Sequence, residues 1–164
     1  MKSMRIQMGI IPMVAALWLV ACGSSAPSGS APSPTGAALI HTASIKVGDK
    51  TQTVLKNEKG LTLYYFTPDT ATKVACTGGC ASNWPPLLAT SGPPTSNPAL
   101  PGELTVLNGA NGNQVLYNGH PLYTYIKDGD AADAYGQGIS GKWFAATSDL
   151  AAAATATPAP PLGY

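Results

Sequence analysis

Charge is what this chain has least of: 10% of its 164 residues are charged, 9 Lys plus Arg against 8 Asp plus Glu. Too few cations are present to neutralise a run of phosphates, so nucleic acid is excluded as a partner. Arginine occurs only at Arg5, and no methionine follows Met13. A soft copper site built from thioethers is thereby excluded from the rest of the chain. No apolar run reaches the ~20 residues of a membrane-spanning helix. Long helices are excluded as well, because 18 Gly and 15 Pro interrupt the sequence. What remains after the Pro, Gly, Ser and Ala stretches at both ends is roughly 110 residues, enough for one small core.

The N-terminus reads as an address. Lys2 and Arg5 precede an uncharged apolar run from Met8 to Val20, which ends in Leu19-Val20-Ala21-Cys22 before the composition turns to Gly, Ser and Pro. A basic start and an apolar stretch of about a dozen residues match a signal peptide. The small Ala21 followed by Cys22 matches a lipobox, in which Cys22 receives the acyl chains. Residues 1–21 are therefore expected to be a lipoprotein signal peptide and residues 22–39 a lipidated Cys with a flexible linker. An uncleaved anchor is the rival reading, weakened by Pro12 inside the run. Removal of Lys2 and Arg5 leaves 7 basic against 8 acidic residues, a net charge of −1.

Of three cysteines, lipidation of Cys22 leaves Cys76 and Cys80 as an even pair in an oxidising compartment. Their separation encloses Gly78-Gly79, whose freedom at positive φ suits a tight closure, and a disulfide is expected. So small a ring contributes only ~2 kcal/mol and chiefly fixes local shape. A redox-active dithiol and half of a metal site are the alternatives. The spacing matches neither C-x-x-C nor a haem attachment, and no second cysteine pair completes a zinc cluster.

Between the linker and an Ala/Pro tail at residues 150–164, expected to be disordered, lie short β signals. Ser44–Val47 and Gln52–Leu55 flank Gly48-Asp49, and Leu61–Phe66 follows. Leu104–Leu107 and Gln114–Tyr117 flank a loop with two Asn-Gly steps, Asn118-Gly119 leads into Leu122–Ile126, and Trp143–Thr147 comes last. Asn-Gly is the strongest short hairpin signal.

The chain also repeats itself. Val54-Leu55-Lys56-Asn57 is echoed by Val115-Leu116-Tyr117-Asn118, and Leu63-Tyr64-Tyr65-Phe66-Thr67-Pro68-Asp69 by Leu122-Tyr123-Thr124-Tyr125-Ile126-Lys127-Asp128. Asp69 and Trp84 stand 15 residues apart, as do Asp128 and Trp143. The expected fold is all-β: one small domain over residues 40–149, made of two pseudo-symmetric β repeats at about 52–88 and 113–147. The two Y-x-[FWY]-x-x-D segments occur together with Cys80-Ala81-x-x-Trp84-Pro85-Pro86, with Tyr117-Asn118-Gly119-His120-Pro121-Leu122-Tyr123 and with Gly141-Lys142-Trp143. This set resembles bacterial predicted lipoproteins described as a secreted repeat with a Y-x4-D motif. The resemblance runs from about Val54 to Phe144. It implies an envelope location and a duplicated unit, and it supplies no catalytic residues.

On a strand, residues i and i+2 share a face, so Tyr64 with Phe66 and Tyr123 with Tyr125 form equivalent pairs, while Leu63 and Leu122 point the other way. These rings either pack the core or, with Trp84 and Trp143, line a groove suited to a sugar, a peptide or a quinone-like ring. Asp69 and Asp128 either accept backbone N–H bonds in the following turns or, brought together by the symmetry, form an acid/base pair. His120 caps a turn or binds a metal or cofactor. Asp128, Asp130 and Asp133 loosely suggest a cation loop but lack the closing Glu of an EF-hand.

The expectation is a lipid-anchored lipoprotein on the extracytoplasmic side of a bacterial membrane. It is a monomer without cofactor, and a non-enzymatic binding or interaction module for an envelope protein or small ligand. A metal- or redox-handling accessory using His120 and Cys76/Cys80 is the second reading. A hydrolase using Asp69 and Asp128 is the third.

Overall fold

A computed structural model describes residues 39–153. The expected signal peptide, the lipidated Cys22, the linker up to residue 38 and the tail from residue 154 lie outside the described residues. Among the described residues no helix is long and apolar enough to cross a membrane.

Among the described residues eight short strands carry the fold. β1 (Ile40–Val47) and β2 (Lys50–Asn57) form an antiparallel hairpin. Gly48 takes φ +59° at the first turn position, which accounts for the Gly-Asp order, since a II′ turn puts its glycine first. β3 (Tyr64–Phe66) pairs antiparallel with β8 (Trp143–Ala145), so the first repeat is closed by the end of the second. β4 (Ser96–Asn97) runs parallel to β1, a pairing with no sequence signal. β5 (Leu104–Gly109), β6 (Gly112–Tyr117) and β7 (His120–Pro121) form the third sheet, in that order. The β6–β7 turn places Asn118 at φ +49° and Gly119 at +79°, the I′ geometry that Asn-Gly favours. The fold is thus all-β, and among the described residues helix is confined to α1 (Gly79–Asn83) and a 3-10 turn at Ile139–Gly141.

The expected strand over Leu122–Ile126 is replaced by an extended segment whose partners change at each step. Leu122 N donates to Val115, Tyr123 N to Tyr64, Thr124 N to Pro85 and Ile126 N to Asn83. No single neighbour continues long enough for a ladder.

The two repeats interlock through equivalent hydrogen-bond circuits. In one, Leu55 N donates to Ala146 O, Ala146 N to Leu63 O and Leu63 N to Leu55 O, at 2.8, 2.8 and 2.9 Å. In the other, Val115 N donates to Leu87 O, Leu87 N to Leu122 O and Leu122 N to Val115 O, at 2.8, 2.9 and 3.0 Å. Leu87 belongs to the first repeat and Ala146 to the second, so each repeat lends its last segment to the other. The circuits equate Leu55 with Val115, and the bridges Lys56–Thr62 and Leu116–Pro121 agree. The structural register therefore differs by one residue from the echo of Val54–Asn57 in Val115–Asn118, and the matching buried quartets are 54–57 and 114–117. At the centre, Tyr64 and Tyr123 bond each other's backbones in both directions at 2.8 and 2.9 Å, marking the pseudo-two-fold axis.

Alternation along these central segments separates two apolar clusters. Leu63 and Leu122 enter one, with Leu55, Val115, Leu87 and Ala146. Tyr64 and Tyr123 enter the other, with Trp84, Trp143 and Cys76. Burying a ring of this size stabilises by about 1.5–3 kcal/mol, which matters in a chain with a small core. The packed chain also runs past the expected end of the domain. Leu150 O accepts from Asn118 Nδ2 at 2.7 Å and Ala153 N donates to Asn118 O at 2.8 Å, so residues 150–153 are held against the β6–β7 turn.

Candidate functional site

The paired motif residues meet across the repeats. Tyr64 Oη donates to Asp128 Oδ2 at 2.6 Å, and Tyr123 Oη donates to Asp69 Oδ2 at 2.6 Å. Each tyrosine thus bonds the aspartate of the other copy, a pairing that the spacing within one copy does not reveal. The second carboxylate oxygens do what turn aspartates do: Asp69 Oδ1 accepts Ala75 N at 2.6 Å and Asp128 Oδ1 accepts Tyr135 N at 3.1 Å. Gly136 N also donates to Tyr64 Oη at 3.2 Å. A Cβ on Gly136 would lie 2.7 Å from the Tyr64 ring and 3.0 Å from Trp84, so glycine is required there by close approach.

Burial pushes both phenols far above their ordinary range, and the bonds to the carboxylates add to the shift. Burial likewise raises Asp128, opposed by the bond from Tyr64. The two carboxylates are only 6% and 5% exposed and each accepts a bond at both oxygens, so neither stands open to a substrate.

Around these pairs the rings form one stack. Phe66 lies on Trp143 at 4.4 Å and 22°, Trp143 on Trp84 at 3.7 Å and 0°, and Trp84 on Tyr125 at 4.2 Å and 24°. Tyr64 meets Trp84 edge-on at 5.6 Å and Tyr123 meets Trp143 edge-on at 5.2 Å. Every member has its counterpart in the other repeat. Tyr64, Tyr123, Trp84 and Trp143 are buried, and Phe66 and Tyr125, the two ends, are half-buried. The motif aromatics therefore pack the core and do not line an open groove.

A second aromatic cluster has no such counterpart. Tyr65 packs against Phe144 at 5.9 Å and against His120 at 4.8 Å, and all three are half-buried. The cross-strand pair Tyr65–Phe144 has its equivalent in Thr124–Pro85, where Thr124 N donates to Pro85 O at 2.9 Å and one ring is missing altogether. The other ring position holds only the small proline.

His120 Nε2 lies 3.1 Å from Ala151 O, so the turn histidine ties down the C-terminal segment. Burial holds its imidazole below the ordinary value of 6.5, against the opposing pull of that carbonyl. Between its lowered folded value and 6.5 the unfolded chain binds more protons, so stability rises with pH across that window and is complete above it. Urea midpoints at about pH 5 and about pH 7.5 are expected to differ less in His120→Gln than in the wild type. An unchanged difference would place the pH dependence elsewhere.

Cys76 and Cys80 stand at disulfide distance, with Cα atoms 5.2 Å apart and Cys76 fully buried. Among the described residues no three His, Cys, Asp or Glu side chains are placed to hold a metal ion. Asp130 and Asp133 instead organise their own loop, Asp133 Oδ2 accepting from Gly129 N and Asp130 N at 2.8 and 3.1 Å.

Lys56, 2% exposed, is the feature that composition hid. Its ammonium donates to Thr62 Oγ1 at 2.6 Å and to Ala131 O at 2.9 Å, and Thr62 Oγ1 donates onward to Asp133 O. Desolvation lowers its pKa, opposed by Asp128, Asp133 and Asp130. The lysine is the clasp of the acidic loop, at a position where the other repeat has Leu116. Its only sequence signal is a lysine within a buried β quartet.

No match was found among curated proteins or among solved structures. A family described as a secreted repeat of unknown function matches the chain twice, over residues 47–88 and 105–147. These spans take in both Tyr–Asp motifs and both stacked tryptophans, together more than half of the 164 residues, and the chain belongs to that secreted repeat family.

Proposed function

We propose that this secreted protein is a lipoprotein held to the envelope by acyl chains on Cys22, and that its domain is a non-enzymatic binding module. The single observation behind the binding reading is the loss of pseudo-symmetry at Tyr65, Phe144 and His120. On the equivalent strand pair Thr124 and Pro85 stand where this one has two rings, so although Tyr65 also packs against the cluster of Leu55 and Leu63, the half-buried group of Tyr65, Phe144 and His120 is not repeated by the shared core. Half-buried rings at a surface suit a ligand that offers a flat apolar face, such as a sugar ring. The full engagement of Asp69 and Asp128 argues against hydrolysis.

The test is titration of the exported protein with soluble peptidoglycan fragments, followed by the shifts of assigned Tyr65 and Phe144 ring signals. Tyr65→Ala and Phe144→Ala are expected to weaken binding at least about tenfold, a loss of ~1.4 kcal/mol or more, with Thr124→Ala unchanged. Saturable binding that survives both ring deletions would sink the assignment of the face. Anchoring is tested separately, by detergent partitioning and intact mass of wild type and Cys22→Ala. A wild-type chain without added acyl mass would overturn it.

A further inference from the structure

The two repeats part company at the outer edges of their hairpins. Leu55 is equivalent to Val115, and their partners across the hairpins are Thr42 and Val106, so β1 corresponds to β5 and Ile40 to Leu104. On its outer edge β1 carries β4, which runs parallel to it at Ile40 and His41. Thr95 O, just ahead of β4, accepts from Leu39 N and Ile40 N, both at 3.1 Å. β5 lies at the edge of its sheet, with β6 on one side and, among the described residues, no strand on the other. Asn118 N donates to Glu103 O, which sets the alternation of the ladder. Thr105 and Leu107 therefore bond β6, while Leu104, Val106 and Asn108 turn their N–H and C=O groups outward.

Where β1 has β4, β5 has a cavity of about 550 Å³, bounded by Leu104, Val106 and Asn113 and by Ala89, Pro93 and Pro94. No charged side chain lines it. Exposure differs accordingly, for Ile40 is fully buried, Leu104 is half-buried and Val106 is 41% exposed. β5 has neither charge nor proline to keep another strand away from its edge.

The pseudo-symmetry points to the occupant. Leu87 and Ala146 are equivalent, and so are the bonds that follow them, Ala89 N to Asn113 O at 2.9 Å and Ser148 N to Thr53 O at 3.0 Å. β4 begins at Ser96, nine residues beyond Leu87, and nine residues beyond Ala146 stands Thr155. The described chain leads to that point, since Ala153 N donates to Asn118 O, and Asn118 is bonded to Glu103 at the start of β5. A strand that sets out from Glu103 along β5 runs parallel to it, as β4 runs to β1. Residues 154–157 read Ala-Thr-Ala-Thr, small and uncharged like the cavity. Pro158 follows, one residue beyond the place that matches Pro98, which comes directly after β4.

We propose that the outer edge of β5 is a strand-acceptor site and that its occupant is this chain's own segment 154–157. Ala154 O accepts from Leu104 N, as Thr95 O accepts from Ile40 N. Ala156 N then donates to Leu104 O, and Val106 N to Ala156 O, the slanted pattern of a parallel pair. The added strand covers the apolar wall of the cavity and removes the free edge. The site does not depend on the reading of the Tyr65 face.

The experiment is residue-resolved amide hydrogen exchange on the full exported protein and on a chain that ends at Ala153. The Leu104 and Val106 amides are expected to exchange at least about tenfold faster in the shortened chain. Thr105 and Leu107, which face β6, are expected to be unchanged and so to mark an intact fold. Ala156→Pro keeps the full length but removes the N–H that meets Leu104 O, and it is expected to speed exchange at the same two amides. Should the shortened chain also loosen Thr105 and Leu107, Ala156→Pro alone decides. Equal exchange of Leu104 and Val106 with and without the segment overturns the proposal. So does protection of these amides in the shortened chain that grows with protein concentration, which would make a second copy the occupant.

Discussion

Tyr64→Phe is expected to lower the unfolding free energy by about 1.5–3 kcal/mol, because it strips a buried carboxylate of a charge-assisted hydrogen bond and leaves no water to replace it. Tyr123→Phe is expected to cost about the same, since its hydroxyl meets Asp69 at the same 2.6 Å as Tyr64 meets Asp128. Of a net stability near 5–15 kcal/mol, either loss is large. The sharper expectation concerns pairs. Tyr64→Phe combined with Asp128→Asn is expected to fall short of the sum of the single losses by about 1–3 kcal/mol, because the second change removes the partner that the first had stranded. Tyr64→Phe combined with Asp69→Asn is expected to add to within about 0.5 kcal/mol, although these two share one motif. Urea unfolding of the four variants and the two doubles measures this directly. Coupling within the motif instead of across the repeats would refute the crossed arrangement.

That crossing marks the limit of what the letters disclose. Repetition was legible because residue identities recur at constant spacing, and it led correctly to a duplicated all-β domain. A repeat written in line says nothing about whose aspartate a tyrosine meets, since both copies offer one at the same offset. The register was hidden for a related reason. The match of Val54–Asn57 to Val115–Asn118 follows identity, whereas the backbone equates Leu55 with Val115. A slip of one residue reverses every face of a strand, so identity alone is a poor guide to phase. The short helix Gly79–Asn83 was invisible because it is barely more than one turn. Lys56 drew no attention because lysines are seldom buried; here a loop carbonyl and a threonine hydroxyl replace its water.

The Asn-Gly turn at 118–119 and the Cys76–Cys80 pair were readable because local chemistry decides them. The candidate binding face lay between these extremes. Tyr65 and Phe144 stand beside motif residues in sequence, yet only their pairing across β3 and β8 shows that one repeat has rings where the other has Thr124 and Pro85. In a pseudo-symmetric domain the second copy serves as an internal control on packing. Where both copies agree, as in the stack, the shared core explains the residue; where they differ, something else must.

The interlocked circuits lead to the largest expected effect. A chain cut after residue 142 loses Trp143 from the stack, the β8 partner of β3, and the Ala146 groups that close the circuit of Leu55 and Leu63. Deleting a buried Trp alone costs about 3–5 kcal/mol. With the lost strand added, the deficit approaches the whole stability of a small domain, and the truncated chain is expected to be unfolded by circular dichroism and amide exchange. A single repeat fails for the same reason, since the segment it needs beside Leu55 or Val115 is supplied by the other copy. Two identical copies can meet that need in each other. In a chain of residues 105–147 alone, the segment at Ala146 of one copy would take the place of Leu87 beside Val115 of the other, about a two-fold axis. Such a chain is expected to be unfolded when dilute and to acquire β structure only as a dimer, its midpoint rising with concentration. Sedimentation and circular dichroism across a dilution series read both. A folded monomer would mean that each repeat closes on itself, and the exchange of Leu87 and Ala146 between the halves would then be an accident of linkage and not the condition for folding.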